Sequence, residues 1–223
     1  QLTSSLIPLL RDVTVNKKVC GHRYRVTLPD TVDQYRNGLA RRMQRRIRRL
    51  DKFSESPGIS TAIVEDADTV ATALAELRVL HQSRWQQVGK PGAFSSSRFS
   101  RFHDKVAVSF LREGWLQLQR VSDQGKAIAI NYNIRFGNTE YYYQSGFNID
   151  GYRNQSLGVM AHMNAIGGAI DDGLDYYDFM HAVGDSYKHQ YQCLLTELED
   201  ITLTRPTFTG HVLQLVDRMR DGL

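Results

Sequence analysis

The sequence predicts an α/β fold in which a mixed, mostly antiparallel sheet is flanked by helices. Three observations predict it. Amphipathic helical periods dominate the chain between residues 31 and 112. Between Trp115 and Phe147 the pattern changes to alternating apolar residues broken by tight turns, as in an antiparallel meander. A further helical period then leads to a short apolar run at 176–180, which can join the same sheet only through a crossover.

Taken in order, residues 1–30 form a lead-in, or the end of a preceding half, with an extended stretch over 24–28 closed by Pro29. In 31–53, Leu39, Met43, Ile47 and Leu50 recur every three or four residues. That spacing puts them on one side of a single helix and leaves Arg41, Arg42, Arg45, Arg46, Arg48, Arg49 and Lys52 on the others. Pro57-Gly58 marks a loop, and 61–65 reads as a strand. Residues 68–88 form a helix with Leu74, Leu77, His81 and Trp85 on one face and Gly89 past its end. A second helix over 97–112 carries Phe99, Phe102, Val106 and Phe110 as its apolar stripe, and Gly114 ends it.

The meander follows. Residues 115–121 alternate, Ser122 to Gly125 turn, and Ile128, Ile130, Tyr132, Ile134 and Phe136 alternate as a half-buried strand. Gly137-Asn138 turns into a third strand, 141–147. Val159, Met163, Ile166 and Ile170 mark a helix that stops near Gly173. It joins the third strand to the strand at 176–180 as a right-handed crossover, so those two strands are parallel. Parallel strands parting around such a helix leave a cleft at their carboxyl ends, where ligands bind. A short helix near 186–192, a strand over 194–204, Pro206 and a C-terminal helix within 206–223 complete the chain. The main domain is expected over 31–205.

Composition narrows the classes. Of 223 residues, 41% are hydrophobic and 23% charged, values of a globular protein with a core. No apolar run reaches the roughly 18–20 residues of a membrane span, and residues 1–8 lack the charged and apolar regions of a signal peptide. Cys20 and Cys193 are far apart and read as reduced thiols, so a cytoplasmic location is expected. The chain begins without Met, which fits a processed form or the second half of a longer protein. Seven histidines show no ligand spacing, so no metal is expected. Phosphate-loop, nucleophile-elbow and paired-cysteine motifs are missing, against kinase, hydrolase and redox chemistry. The net charge of +4 gathers on the arginine-rich helix. That face is either simply solvated or a guide for an anionic partner: coenzyme A phosphates, a nucleotide-linked substrate or RNA.

Six motifs then stand in order: Leu80-His81-Gln82-Ser83-Arg84-Trp85, Arg101-Phe102-His103, Tyr142-Tyr143-Gln144-Ser145-Gly146-Phe147, Gln155-Ser156-Leu157-Gly158, Tyr177-Asp178-Phe179 and Gly184-Asp185-Ser186-Tyr187-Lys188. Together they resemble the GNAT-like acetyltransferases, in particular the subfamily associated with bacterial cellulose biosynthesis, and more distantly the FemX-type aminoacyltransferases. The resemblance implies a GNAT-like acyl-CoA N-acyltransferase fold. It implies a donor, acetyl-CoA or another acyl-CoA, whose pyrophosphate lies where the crossover helix begins, at Gln155, Ser156, Leu157, Gly158 and Val159. The family signature expects a small residue where Met160 stands, and a bulky side chain there would crowd the phosphates. The strand carrying Ser145, Gly146 and Phe147 would lie along the pantetheine arm, with a backbone N–H for the oxyanion.

Acyl transfer also needs an acid for the leaving thiolate and a base for the amine. The resemblance points to Tyr187 as acid, with Tyr191 second and Lys188 beside it. Asp178, His181 and Asp185 are base candidates. His81, Arg84, Trp85 and His103 are expected on the acceptor side. The acceptor is a small-molecule or sugar-linked amine. The alternatives are a FemX-like enzyme using aminoacyl-tRNA, the one nucleic-acid partner in view, or a non-catalytic binding module of the same fold.

Overall fold

The computed structural model of the protein describes residues 13–182, 186–205 and 207. These divide into two compact units. The larger takes in Arg23 to Met180 and residues 186–195; the smaller takes in the other described residues, His181 and Ala182 among them. The C-terminal helix expected within 206–223 and the base candidate Asp185 lie outside the described residues.

In chain order the elements are β1 (Thr14–Thr27), α1 (Val32–Gly38), α2 (Arg41–Ser54), β2 (Ile59–Ile63), α3 (Ala67–Gln87), α4 (Ser97–Arg112), β3 (Leu116–Asp123), β4 (Lys126–Phe136), β5 (Thr139–Phe147), α5 (Leu157–Asp171), β6 (Tyr176–Ala182), a 3-10 turn (Tyr187–Tyr191) and β7 (Leu194–Thr204). The larger unit orders its strands β2-β3-β4-β5-β6-β1. β2 to β5 pair antiparallel, and β5 pairs β6 in parallel through Thr139↔Tyr176, Glu140↔Tyr177 and Tyr141↔Asp178. The crossover expected from the sequence is therefore present, with α5 as its helix. The mixed sheet flanked by helices is the fold that the pattern predicted.

The predicted arginine-rich helix is two helices. Thr31 and Gln34 form a capping box on α1. The chain then leaves the helical region at Leu39 (ψ 154°), where Gly38 lies against Gln192 closely enough that a Cβ would stand 3.2 Å from its Oε1. Arg36 grips Asp51 with two bonds of 3.1 and 3.2 Å, tying α1 to α2. The expected stripe holds: Leu39, Met43, Ile47 and Leu50 are buried, and Arg41, Arg42, Arg45, Arg48 and Arg49 are exposed.

β4 is buried on both faces, not one. Ala127, Ile130 and Tyr132 join Leu74, Leu77, Phe94, Ala107 and Leu118 in a core under α3 and α4. The intervening Asn131 and Asn133 are buried too, because α5 covers the opposite face. Phe102, expected in the stripe of α4, is 59% exposed; His103 and Ala107 take the buried positions.

Next to this sheet edge, β1 runs antiparallel to β6: Leu28 N–H donates to Asp175 O at 2.9 Å and the Arg25 guanidinium stacks 4.0 Å over the Tyr176 ring. In the smaller unit, Lys17 pairs with Glu199 at 3.4 Å and His181 Nε2 lies 3.1 Å from the Cys20 carbonyl oxygen. Among the described residues no helix is long and apolar enough to cross a membrane.

Candidate active site

The larger unit contains a cleft of about 300 Å³ between the end of β5, the start of α5 and the 3-10 turn that follows β6. The two strands pair only as far as Tyr141 and Asp178. Beyond that point β5 continues alone to Phe147, and its free edge becomes one wall.

A register shift between Tyr132 and Asn133 shapes that wall. Tyr132 opposes Gln144 and Asn133 opposes Tyr142, which leaves Tyr143 as an extra residue. The bulge turns Tyr142 and Ser145, three apart, onto the same face, where their hydroxyls are 2.7 Å apart. Tyr143 turns the other way, toward His103. Asn148 N–H donates to Ile128 O on β4, so the alternation of the pleat directs the N–H groups of Ser145 and Phe147 toward the edge that β6 vacates.

The second wall is the start of α5. Ser156 has φ 39° and ψ 46°, an unusual conformation for a residue with a side chain, and its hydroxyl caps nothing. The N–H groups of Leu157 and Gly158 thus have no helical acceptor and line the cleft beside a positive helix end. Gly158 lets the helix start close on β5: a Cβ would stand 3.2 Å from the Phe147 ring, which would have to give by a few tenths of an ångström. Met160 does not crowd this corner; it is 2% exposed and points into the core. Arg84, over the Phe147 ring at 4.6 Å, and Arg153 add positive charge at the rim.

The floor is an aromatic cluster centred on His162, a residue that the sequence reading missed. His162 on α5 is 4% exposed. Its Nδ1 is 3.0 Å from the Tyr177 hydroxyl and its Nε2 is 3.4 Å from the Tyr187 hydroxyl. Tyr142, Phe179 and Tyr191 pack their rings around it. Burial, helped by the Lys188 and Arg84 charges, pushes the His162 pKa down to about 3, so the ring is neutral. Tyr187 is half exposed as a residue, but desolvation beside this cluster and the nearby Tyr142 push its pKa upward, so it stays protonated at neutral pH. The only signal for His162 in the sequence was a histidine beside the apolar stripe of the crossover helix, a position that usually means core.

A neutral buried histidine has a consequence for stability. An unfolded histidine takes up a proton below about pH 6.5, whereas His162 does so only near pH 3. Between those values unfolding binds a proton, so stability falls as the pH drops, by up to about 1.4 kcal/mol per pH unit. Burial shifts His81 and His103 the same way. Urea unfolding at pH 7, 6 and 5 measures the slope, and His162→Gln is expected to flatten it.

Of the expected site residues, Arg84, Ser145, Phe147, Ser156, Leu157, Gly158, Val159 and Tyr187 line this cleft. Gln155 does not. Gly146 does not either; a Cβ there would meet the His81 backbone at 2.7 Å, so its bareness serves the contact of β5 with α3. Asp178 is fully buried, ion-paired with Arg23, and accepts Met180 N–H at 2.7 Å. Lys188 is buried with its ammonium donating to Phe179 O at 2.7 Å, away from the cleft lining. His181 belongs to the smaller unit.

His81 and Trp85 line a separate pocket with Lys90 and Gln144 on the α3 side of the sheet. His103 has both nitrogens engaged, 3.2 Å from the Tyr132 hydroxyl and 3.1 Å from that of Tyr143. Among the described residues no group of histidine, cysteine and carboxylate side chains could hold a metal.

Comparison with known proteins agrees with this architecture. Residues 37–189 match the family described as acetyltransferase (GNAT) domain. No curated protein matches. Among solved structures the chain is similar to FemX (13% identity, TM-score 0.68), with 89% of this chain and 67% of that one covered. It is also similar to a conserved protein of unknown function from Bacteroides thetaiotaomicron (12%, TM-score 0.62, 91% and 66%) and to L-PGS from Bacillus licheniformis (9%, TM-score 0.55, 92% and 66%). The chain spans about two thirds of the length of each. At these identities the likeness is one of fold.

Proposed function

The chain belongs to the acetyltransferase (GNAT) domain family, and from that premise we propose that it is an N-acyltransferase taking an acyl group, in the first instance acetyl, from acyl-CoA to an amine. The observation that carries the reading is the uncapped start of α5 opening onto a cleft whose opposite wall is a free strand edge. In this reading the donor's pyrophosphate takes the N–H groups of Leu157 and Gly158, assisted by Arg84 and Arg153. The cleft, about 300 Å³, takes the pantetheine arm and the acyl group.

The amine nitrogen bonds to the acyl carbon and gives its extra proton to a base. The N–H groups of Ser145 or Phe147 stabilise the oxyanion. As the C–S bond breaks, the Tyr187 hydroxyl hands its proton to the departing thiolate. Asp178 is not assigned the base: a carboxylate held by Arg23 and a backbone N–H is a structural anchor. A small-molecule or sugar-linked amine fits as acceptor, and a role in exopolysaccharide or envelope synthesis follows from the sequence resemblance alone.

Release of free coenzyme A thiol from acetyl-CoA, assayed over a panel of amines and amino sugars, tests the reading. Arg153 is exposed, so Arg153→Ala is expected to raise the KM for the donor only about three- to tenfold, with kcat unchanged.

One observation favours a second reading, an aminoacyl-tRNA donor. Arg45, Arg48, Arg49 and Lys52 form a cationic ridge on α2, and α2 adjoins the cleft: Arg46 donates to Gln190 at 3.0 Å and Phe53 packs edge-on to Tyr152, both partners lining it. If RNA docks there, log affinity should fall linearly with log salt, and Arg45→Glu/Arg48→Glu should reduce the slope by about two. Salt-independent weak binding would remove this reading.

A further inference from the structure

We propose that a one-way chain of hydrogen bonds, running from the Arg135–Glu140 ion pair through Asn133, Tyr177 and His162, fixes the Tyr187 hydroxyl as a donor into the cleft. It rests on the reading of Tyr187 as the acid, and its members are positioning residues.

Taken in order from the ion pair, one assignment of directions gives every link both a donor and an acceptor. Glu140 is buried; Arg135 Nε donates to its Oε2 at 2.8 Å, and Arg135 also holds Asp172 at 2.5 Å. Burial holds the Glu140 pKa above the usual carboxylate value, against the pull of Arg135 and Asn133; the close ion pair with Arg135 is what keeps its charge. Paired in this way it is a carboxylate, which can only accept. The amide at Asn133 must therefore turn its NH2 to Glu140, and it does so at 2.7 Å. Among the described residues the amide oxygen of Asn133 finds no partner, so the Glu140 carboxylate sets this orientation.

The same NH2 reaches the Tyr177 hydroxyl at 3.4 Å. An amide nitrogen only donates, so the Tyr177 oxygen accepts it, and the single Tyr177 proton is left for His162 Nδ1 at 3.0 Å. A neutral imidazole whose Nδ1 accepts carries its proton on Nε2. Nε2–H then donates to the Tyr187 oxygen at 3.4 Å. The proton of Tyr187 must point elsewhere, to the side where Tyr142 and the cleft lie. When it leaves for the thiolate, the developing phenolate already has a donor in place at His162. No charge needs to move along the chain; its polarity does the orienting.

The test separates the chain from the activity. In protein labelled with 15N at histidine, long-range 1H–15N correlation at pH 7 reports the tautomer of each ring. The His162 signal is identified by its loss in His162→Gln. The expected result is the Nε2–H tautomer in the native protein and its loss, or a tautomer mixture, in Tyr177→Phe. An Nδ1–H ring or an imidazolium in the native protein would overturn the proposal, as would an Nε2–H ring that survives Tyr177→Phe. In thiol-release kinetics Tyr177→Phe should lower kcat about three- to tenfold at constant KM for the donor, and an unchanged kcat would overturn the link to catalysis. If the native protein shows no activity with acyl-CoA, the functional reading fails, while the tautomer still decides the chain.

Discussion

Replacing Tyr187 by phenylalanine is expected to lower kcat for acyl transfer by about 10²–10⁴-fold, with little change in the KM for acyl-CoA. The substitution removes one oxygen and keeps the ring, which packs against His162 and Tyr191. The donor site at Leu157 and Gly158 is untouched, so binding should persist while proton delivery to the thiolate is lost. The raised pKa of Tyr187 fits this role, since the acid stays loaded through the neutral range. A smaller loss, or one expressed in KM alone, would move the acid elsewhere; Tyr191 is next, its hydroxyl buried in the same cleft without a partner among the described residues.

The second large effect falls on stability. Arg23→Ala should cost about 3–5 kcal/mol, because it removes the ion-pair partner of the Asp178 carboxylate, which lies at 0% exposure and keeps the Met180 N–H. Since Arg23 is one-third exposed, water can enter beside the truncated chain, which places the expectation toward the lower end. Changing both to Arg23→Met with Asp178→Leu should recover most of the loss. If Asp178 were the base instead, Asp178→Asn would abolish turnover and leave the urea midpoint unchanged. Chemical denaturation and thiol-release rates on the same preparations distinguish the two.

Local order was legible in the sequence wherever one period governed a segment. The stripe of α2, the bounds of α4 and the meander turns follow from spacing alone. Features set by tertiary contacts were not. The break at Leu39 depends on Gln192 closing on Gly38 from far along the chain. Alternation in β4 suggested one wet face, but Asn131 and Asn133 are polar residues under α5, where Asn133 binds the buried Glu140.

The candidate site divides in the same way. The start of α5 and Tyr187 were named because their motifs are contiguous, and both line the cleft. His162 and Tyr142 were missed because only the bulge in β5 brings Tyr142 to the α5 side and stacks its ring on His162. Likewise Asp178, Lys188 and His103 have the chemistry of a site, and nothing in the sequence reveals that Arg23, the Phe179 carbonyl and two tyrosines occupy them.

The central claim is that the open start of α5 holds the phosphates of an acyl-CoA. Calorimetric titration with acetyl-CoA and longer acyl-CoAs, alongside Gly158→Trp, tests it most directly. The indole would have to enter beside Phe147, 3.2 Å from even a Cβ, and block the N–H groups, with circular dichroism verifying that the variant is folded. The account predicts saturable binding to the native protein and none to Gly158→Trp. Absence of binding for every acyl-CoA, or equal binding by a folded Gly158→Trp protein, would contradict it.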